Sequence, residues 1–498
     1  MNQALATSSL DSSPETTRFG SGKSVKRLED QQLLLGAGQY TNDVTLPGQS
    51  YLVFLRSPYP HAKITRLDTT AAKAMPGVYG LVTGQDLLAA GVKPMARAMN
   101  FKRADGGPLS STTRYPLATD TVRFVGEPIA AVVADTEENA RNAVEAIQIE
   151  FDPLQSASTL ADALAPNAPL FTEAPDNRVA ETRYGDIAAT QAAFAQAAHV
   201  VHLDIVNQRV AALAIEPRSV LAYPENGRLT IRMSSQMPTG VRTTVSDLLG
   251  IDKEKVRILV GDVGGGFGMK TGAYAEDVVT AFCAHTLARP VKWIADRSEE
   301  FLSSAHGRDI QTKASLALAQ DGKILGLRIE TLANVGAYPT MTGLAIQMLI
   351  GPWVQSSVYD IQTIDYHFTG MMTHTASTGA YRGAGRPEAI YNMERLMDEA
   401  ARVSGIDRVQ LRRKNFIKPD QMPYKNPMGQ VYDTGAFEMI MNEALEKADW
   451  HGFAKREAAS KAKGLWRGLG IATFLEWTGG NAFEERVTIS VSGDGAIE

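Results

Sequence analysis

Residues 261–271, GDVGGGFGMKT, hold five glycines in eleven positions. The apolar run at 256–260 before them predicts a strand, and apolar residues at helical spacing from 274 to 287 predict a helix after them. A glycine loop between a strand and a helix presents free N–H groups at the helix start, where anions are favoured. The stretch therefore predicts a loop that closely approaches a ligand or cofactor. A tight turn that packs the helix on the sheet is the alternative.

Two phosphate-binding loops can be tested by counting. A dinucleotide fingerprint needs glycines at i, i+2 and i+5, but from Gly264 the third position is Met269 and from Gly266 it is Thr271. A nucleoside-triphosphate loop from Gly264 places Lys270 and Thr271 in register, but Met269 occupies the second glycine position. These mismatches disfavour a dinucleotide site and an ATPase.

Composition and charge disfavour several further classes of protein. The 498 residues carry a net charge of −5, which gives no sign of a nucleic-acid surface. No apolar run reaches the roughly 18 residues of a membrane span. The polar, Ser/Thr-rich residues 1–25 predict a disordered tail without the charged and apolar regions of a signal peptide. We therefore expect a cytoplasmic protein.

The single cysteine limits the redox chemistry that the chain can carry. An iron–sulfur cluster normally needs four cysteine ligands, and Cys283 lies between apolar residues, as a buried small side chain would. The eight histidines form no zinc-binding pattern. Any redox chemistry must therefore depend on a bound cofactor, with the electron relay on another subunit.

Several elements must position the glycine stretch. Residues 26–155 mix short strands with helices, including a strand at 129–134 and a helix at 136–148, and an Ala/Pro-rich linker follows. From about residue 199 the pattern becomes strand-rich, with a hairpin predicted to turn at 320–322. A second glycine-rich stretch, residues 378–389, leads into a helix that Gly405 ends.

The last residues predict an unfinished hairpin. Val487, Ile489 and Val491 alternate as in a strand, and a turn at 493–495 is followed by only three residues. We expect such a strand to keep an unpaired edge, and the 498 residues to be part of a longer polypeptide or to be completed by a partner.

Many motifs, in order along the chain, resemble the large, molybdopterin-binding subunit of the xanthine dehydrogenase-type molybdenum hydroxylases, which include aldehyde oxidases and aerobic carbon monoxide dehydrogenases. The motifs that resemble the N-terminal part of that subunit are GAGQYTNDVTLPG, FLRSPYPHAKI, PGVYGLVTGQD and FVGEPIAAVVADTEENARNAVEAIQIEFDPL. Those that resemble its cofactor-binding part are NQRV, IEPRSVLAY, SSQMPTGVR, VGGGFGMK, RPVKWIADRSEEF, GAYRGAGRPEA and YDTGAFE.

The resemblance implies an α+β fold with several domains. An α/β-hammerhead domain is expected at 26–155, a linker at 156–170 and a mixed α/β molybdopterin-binding domain at 171–415. The beginning of a second, incomplete molybdopterin-binding domain is expected at 416–498. The family's catalytic glutamate lies in the missing part, so the resemblance places no catalytic base in this chain and predicts an inactive isolated chain.

Site residues are implied position by position. Gln236 matches the glutamine that hydrogen-bonds the oxo group of the metal, Phe267 the phenylalanine beside the metal, and Arg382 an arginine on the substrate side. These three are expected near molybdenum without ligating it. Glycines that allow close approach of the cofactor are expected at Gly265, Gly266, Gly268 and Gly383. Glu216 is expected to be structural, bridging Arg218 or a loop N–H, and Glu388 is a candidate partner for Arg382.

Departures from the family pattern bear on the substrate. Gly383 stands where carbon monoxide dehydrogenases carry a copper-binding cysteine, which disfavours that activity. Thr271 and Ala384, expected in the substrate pocket, replace a glutamate and an aromatic residue of purine-oxidising members. The implied pocket is wider and less polar than a purine site.

The resemblance implies a molybdenum-dependent oxidoreductase that hydroxylates an aldehyde or N-heteroaromatic substrate with water as the oxygen source. Its cofactor is expected to be molybdopterin, in the cytosine dinucleotide form, with molybdenum. The 2Fe–2S centres and FAD are expected on a small iron–sulfur subunit and a medium flavin subunit. A non-catalytic scaffold or assembly subunit of the same fold is the alternative.

Overall fold

The structure, a computed structural model, describes residues 26–95, 101–476 and 487–496. The tail predicted at 1–25 lies outside these residues. The strands are β1 Ser50–Arg56, β2 Ala62–Asp68, β3 Val78–Thr83, β4 Thr121–Val122, β5 Pro128–Ala134, β6 Gln148–Pro153, β7 Arg178–Gly185, β8 His199–Asn207, β9 Val210–Ala211, β10 Ser219–Glu225, β11 Arg228–Met233, β12 Val256–Leu259, β13 Val291–Ile294, β14 His306–Gly307, β15 Ile310–Leu318, β16 Ile324–Gly336, β17 Ile364–Met372, β18 Tyr424–Lys425 and β19 Val431–Tyr432.

Helices connect and cover these strands. The α-helices are α1 Asp30–Leu34, α2 Thr70–Lys73, α3 Gly84–Ala89, α4 Glu137–Glu145, α5 Leu160–Leu164, α6 Ile187–Ala195, α7 Pro238–Leu249, α8 Ala275–Leu287, α9 Arg297–Ser303, α10 Met341–Ala345, α11 Gly351–Trp353, α12 Arg386–Ser404, α13 Arg408–Asn415, α14 Phe437–Lys447 and α15 Phe453–Lys461. A π-helical turn, Ile346–Ile350, joins α10 to α11. Among the described residues, no helix is both long and apolar enough to cross a membrane.

A seven-stranded sheet joins three strands from residues 50–134 to four strands from residues 219–294. Its order is β12-β11-β10-β13-β1-β5-β3, and β1 runs parallel to β13 with Ser50 opposite Val291. Strand β5, predicted at 129–134, is buried along its whole length. The sheet therefore crosses the domain boundary that the sequence predicts between 155 and 171, and that boundary stays a prediction.

Helix α8 lies on this sheet and carries the single cysteine. Cys283 is 1% exposed and packs in one apolar cluster with Val220 of β10 and Trp293 of β13. Burial raises the pKa of its thiol to about 12, so the side chain is a neutral thiol at physiological pH. The prediction of a buried cysteine is confirmed.

A five-stranded sheet forms the second layer, in the order β7-β17-β16-β15-β8. β15 and β16 form the predicted hairpin, in which the N–H of Gly322 donates to the carbonyl oxygen of Ala319. Helix α12 packs on this sheet and buries Met393, Met397 and Ala400. A smaller sheet, β4-β2-β6, lies in the N-terminal part.

Two glycine-rich loops each lead into a helix, and these loops contain most of the predicted site residues. The first glycine loop, residues 260–274, joins β12 to α8, and the second glycine loop, residues 373–385, joins β17 to α12. Gly385 has φ +89 immediately before α12, and Pro387 occupies its first turn, where the missing N–H costs no helical hydrogen bond. The strand and helix predicted around the first loop, and the helix predicted after the second, are confirmed.

Of the predicted strand at 487–491, only Val491 takes part in a β-bridge in the described residues. The turn is present, because the N–H of Gly495 donates to the carbonyl oxygen of Ser492. However, residues 487–490 adopt no regular structure, and the side chains of Val487, Ile489 and Val491 are exposed. A strand needs a ladder of hydrogen bonds to a neighbour, which alternation of apolar residues alone does not supply.

Candidate active site

Glycines of the first loop are required by neighbouring protein groups. A Cβ on Gly268, which has φ +95, would lie 2.7 Å from the carbonyl oxygen of Ala380 in the second loop. A Cβ on Gly266 would lie 2.5 Å from Oε1 of Gln236. Both distances are shorter than van der Waals contact allows. The bare backbone therefore lets the two glycine loops and Gln236 meet at one place.

Gln236 lies between β11 and α7 and is tied to the first loop at two points. Its backbone N–H donates to the carbonyl oxygen of Lys270 at 2.8 Å, and its Oε1 accepts the N–H of Gly268 at 2.8 Å. Because that backbone group is a donor, the side-chain atom facing it must be the oxygen. The amide NH₂ of the exposed Gln236 side chain has no hydrogen bond to any described residue, so it is an available donor.

Phe267 and Arg382 bring the two loops into direct contact. The N–H of Arg382 donates to the carbonyl oxygen of Phe267 at 2.9 Å, and its guanidinium carbon lies 5.8 Å from the centre of the phenyl ring. Phe267 has φ +51, a left-handed conformation that costs a bulky residue on the order of 1–3 kcal/mol. Its side chain is nevertheless 39% exposed. Such strain, held in place by a neighbouring loop, is typical of a functional site.

Glu388 does not pair with Arg382, contrary to the candidate pairing from the sequence. It forms an ion pair with Arg308 at 3.5 Å, and Arg308 also donates to the carbonyl oxygens of Tyr381 and Arg382 at 3.1 and 3.0 Å. Arg308 lies in the connection between β14 and β15, and its guanidinium is also 4.6 Å from the centre of the Tyr381 ring in the second loop. Within the described chain, the guanidinium of Arg382 forms no ion pair or hydrogen bond and is exposed.

The two predicted substrate-pocket residues, Thr271 and Ala384, have different surroundings. Thr271 lines an internal cavity, and its hydroxyl donates to the carbonyl oxygen of Gly268 at 2.6 Å. Ala384 has φ +44 and does not line that cavity. Its neighbour Gly383 has φ +94, and a Cβ there would lie 2.3 Å from Cγ of Pro387.

A buried ion pair anchors the first loop from below. Nζ of Lys270 lies 3.2 Å from Oε2 of Glu216 and donates to the carbonyl oxygen of the same residue at 2.8 Å. The same carboxylate oxygen accepts the N–H of Gly264 at 2.8 Å. Burial lowers the pKa of Lys270, whose side chain is 1% exposed. The lysine that a phosphate loop would direct to a ligand is therefore occupied within the protein.

The expectation for Glu216 is thus confirmed for the loop N–H and wrong for Arg218. Arg218 instead lies 3.2 Å from Glu276 and 3.1 Å from Glu300, both buried. Burial alone raises the pKa of Glu276, but the Arg218 and Arg56 guanidiniums bring it down to about 2. This charge network fixes the start of α8 beneath the first loop.

A cavity of about 440 Å³ opens beside the first loop. Four parts of the chain form it: the N-terminal region, the start of α7, the first loop with the segment after α9, and the β16–α10 connection with the second loop. In that order, the lining includes Met95, Ser111, Thr112, Arg114 and Phe124; Met237, Gly240 and Thr244; Gly268, Met269, Thr271, Tyr274 and Ser304; and Tyr338, Thr340, Met341, Ser377 and Ala380.

Sequence reasoning missed the contacts of three residues near the two glycine loops. Lys270 and Arg308 each bind a residue more than 50 positions away, and Arg114 lines a cavity that is built from distant segments. Lys270 was the one with a usable signal, since it directly follows the glycine stretch.

Two family models match the chain. The model described as a molybdopterin cofactor-binding domain matches residues 170–416. The model described as the aldehyde oxidase and xanthine dehydrogenase a/b hammerhead domain matches residues 35–155.

Curated relatives and solved structures agree with these matches. The large subunit of nicotine 6-hydroxylase from Paenarthrobacter nicotinovorans is 34% identical over 94% of this chain and 57% of its own length. The carbon monoxide dehydrogenase large chain of Hydrogenophaga pseudoflava is 34% identical over 91% of this chain and 57% of its own. The structure of quinoline 2-oxidoreductase from Pseudomonas putida 86 superimposes with a TM-score of 0.84 at 32% identity, covering 89% of this chain and 56% of that one. The chain thus spans little more than half the length of these relatives.

Proposed function

Because this chain belongs to the aldehyde oxidase and xanthine dehydrogenase family of molybdenum hydroxylases, we propose that it is the large subunit in which such an enzyme oxidises its substrate. The substrate would be an aldehyde or an N-heteroaromatic compound, and water would supply the oxygen. Molybdopterin in the cytosine dinucleotide form would be the cofactor. Partner subunits would carry 2Fe–2S centres and FAD.

The residues fit such a cofactor. The free amide NH₂ of Gln236, the exposed ring of Phe267 and the free guanidinium of Arg382 meet where two glycine loops leave the backbone bare. The proposal depends on the orientation of the Gln236 side chain. Its carbonyl oxygen accepts the N–H of Gly268, so only its NH₂ group is left to face an oxo group. When bound, the molybdenum centre supplies the two-electron oxidation.

The protein residues have positioning and electrostatic roles. Gln236 would donate a hydrogen bond from its NH₂ group to the cofactor and so stabilise negative charge on it. Arg382, whose guanidinium has no ion pair in the described part of the chain, would provide positive charge on the substrate side, and Phe267 would place its ring beside the cofactor. The Glu216–Lys270 pair keeps the loop in the one conformation that presents these groups.

Carbon monoxide oxidation is the second candidate, because a relative with 34% identity is a carbon monoxide dehydrogenase large chain. Gly383 argues against it. A copper-binding cysteine at this position would need a Cβ where Cγ of Pro387 lies 2.3 Å away, at a φ of +94. The loop would have to adopt a different conformation to hold copper.

Isotope labelling of the holoenzyme tests the proposal. We expect molybdenum in the purified enzyme and, with an aromatic aldehyde or N-heteroaromatic substrate in H₂¹⁸O, incorporation of ¹⁸O into the product. A matched reaction in ordinary water with ¹⁸O₂ should leave the product unlabelled. Absence of molybdenum would favour the scaffold alternative, and label from O₂ would contradict the proposed reaction.

A further inference from the structure

The 440 Å³ cavity beside the first glycine loop contains one charged side chain among its described lining residues, Arg114. Most of the remaining lining is apolar or carries hydroxyl groups that are already bonded within the protein. The hydroxyl of Tyr338 donates to Glu127 at 2.6 Å, that of Ser377 donates to the carbonyl oxygen of Tyr338, and that of Thr271 donates to Gly268. The cavity therefore offers apolar walls and one strong donor group.

The guanidinium of Arg114 has no hydrogen bond or ion pair in the described part of the chain. It lies over two aromatic rings, 5.1 Å from the centre of Tyr338 and 5.8 Å from that of Phe124. Ring faces attract a cation but do not satisfy its N–H groups, of which a guanidinium has five. The nearby Arg123, by contrast, donates to the carbonyl oxygen of Thr121 at 3.2 Å.

Glu127 and Glu276, the two carboxylates whose charges reach Arg114, are already bound elsewhere, and Glu276 pairs with Arg56 and Arg218. Oε1 of Glu127 accepts the hydroxyl of Tyr338, and its Oε2 accepts the backbone N–H of Arg123 at 2.5 Å. Glu127 thus holds Tyr338 in place under Arg114 without pairing with the guanidinium. The donors of Arg114 remain for a group that enters the cavity.

We infer that this cavity binds a planar aromatic or heteroaromatic carboxylate, with the guanidinium of Arg114 as the anchor for its carboxylate group. A planar, bidentate carboxylate matches the fork of the guanidinium, and the apolar walls match the ring. One unpaired cation suits a monoanion better than a phosphate dianion, which proteins usually hold with several backbone N–H groups.

The inference rests on the proposed function, because it makes the bound carboxylate the substrate class of the adjoining site. Met237, Gly268 and Met269 line the cavity and are chain neighbours of Gln236 and Phe267. A ring anchored at Arg114 would therefore extend towards those two residues. Arg114 acts as a specificity-determining residue.

Calorimetric titration of the holoenzyme tests the inference without turnover. The probes are benzoate, its neutral analogue benzamide, and inorganic phosphate. We expect benzoate to bind, Arg114→Gln to weaken its binding about ten- to a hundredfold, and Arg114→Lys to weaken it less, because a charge-assisted bidentate contact is lost or reduced. Benzamide should bind weakly and equally to all three proteins.

The matched control is Arg66→Gln, which removes an exposed arginine that pairs with Asp68 and Glu150 and does not line the cavity, and which should leave benzoate binding unchanged. Unchanged benzoate affinity in Arg114→Gln, or in Arg114→Lys if the glutamine variant does not fold, would overturn the inference. Binding of phosphate but not benzoate, dependent on Arg114, would overturn it in favour of a phosphate ligand.

Failure of the proposed function is distinguishable from failure of this inference. The former appears as absence of molybdenum or of ¹⁸O incorporation from water. The latter appears in an enzyme that contains molybdenum and oxidises its substrate, but in which loss of Arg114 changes neither benzoate binding nor KM for a carboxylate-bearing aldehyde.

Discussion

Oε1 of Gln236 accepts the backbone N–H of Gly268 at 2.8 Å, which leaves the amide NH₂ as the free end of the side chain. The side chain is exposed, so its contribution to folding is small. Its orientation is nevertheless fixed by the loop, as expected of a group that must present one particular donor.

Gln236→Ala should lower turnover of the holoenzyme by about five- to a hundredfold, because a hydrogen bond to a charged or metal-bound group contributes roughly 1–3 kcal/mol. The melting temperature should change little, since the side chain is exposed. Steady-state kinetics and thermal unfolding measure the two effects. Gln236→Glu is the matched comparison, because it keeps the shape but removes the donor; wild-type turnover in both variants would exclude Gln236 from the site.

Gly268→Ala should destabilise the protein by about 1–3 kcal/mol and reduce molybdenum content, because the added Cβ meets Ala380 and φ is +95. Gly272→Ala is the control on the same loop, since its Cβ would meet no atom within 4 Å. Urea unfolding and elemental analysis compare the two. Equal effects would show that the contact between the glycine loops is not what requires Gly268.

Asp277 makes stability depend on pH. Burial raises its pKa from 3.8 to about 7, so between these values the folded state holds a proton that the unfolded state releases. The free energy of unfolding should therefore fall as pH rises through this range, by up to about 1.4 kcal/mol per pH unit. Asp277→Asn should remove this dependence and unfold at higher urea than the wild type above pH 7.

Glu276 provides a control in which stability depends on pH in the opposite direction. Its pKa is lowered from 4.5 to about 2, so its stabilising contribution is present above pH 4.5 and is lost as pH falls towards 2. Glu276→Gln should therefore weaken the protein most at neutral pH. If the free energy of unfolding changes with pH in the same way in the wild type and in Asp277→Asn, then Asp277 is not the group that makes stability fall as pH rises.

The holoenzyme should contain about one molybdenum per copy of this chain and no stoichiometric copper, because Gly383 supplies no soft ligand. Elemental analysis by mass spectrometry measures both metals. Gly383→Cys should not acquire copper, since Pro387 occupies the space beside this position. Stoichiometric copper in the wild type would restore the carbon monoxide dehydrogenase alternative.

Much of the fold could be predicted from local sequence patterns, because strands, turns and helices depend largely on residues that are close in sequence. The strand before the first glycine loop, the helix after each loop and the buried Cys283 follow from periodicity and glycine placement. The family resemblance also selected Gln236, Phe267 and Arg382, and the structure brings them together at the two loops.

Long-range partners could not be predicted in this way. Arg308 rather than Arg382 pairs with Glu388 because the β14–β15 connection contacts the second loop, and such a contact between distant segments is not visible in one sequence. Lys270 and Glu216 are 54 positions apart, and either could have paired with other charges. The exposed Val487, Ile489 and Val491 show the converse, since an alternating apolar pattern does not by itself make residues 487–490 a strand.

The pairing of β1 with β13 has a consequence for synthesis of the chain. Ser50 and Val291 are about 240 residues apart, so a ribosome adding about 5–20 residues per second completes β13 some 10–50 s after β1. During that interval β1 has β5 on one side and no neighbour on the other. The nascent N-terminal half therefore presents an open β-edge to other nascent chains, and expression at lower temperature or with chaperones that bind such edges should raise the yield of folded protein.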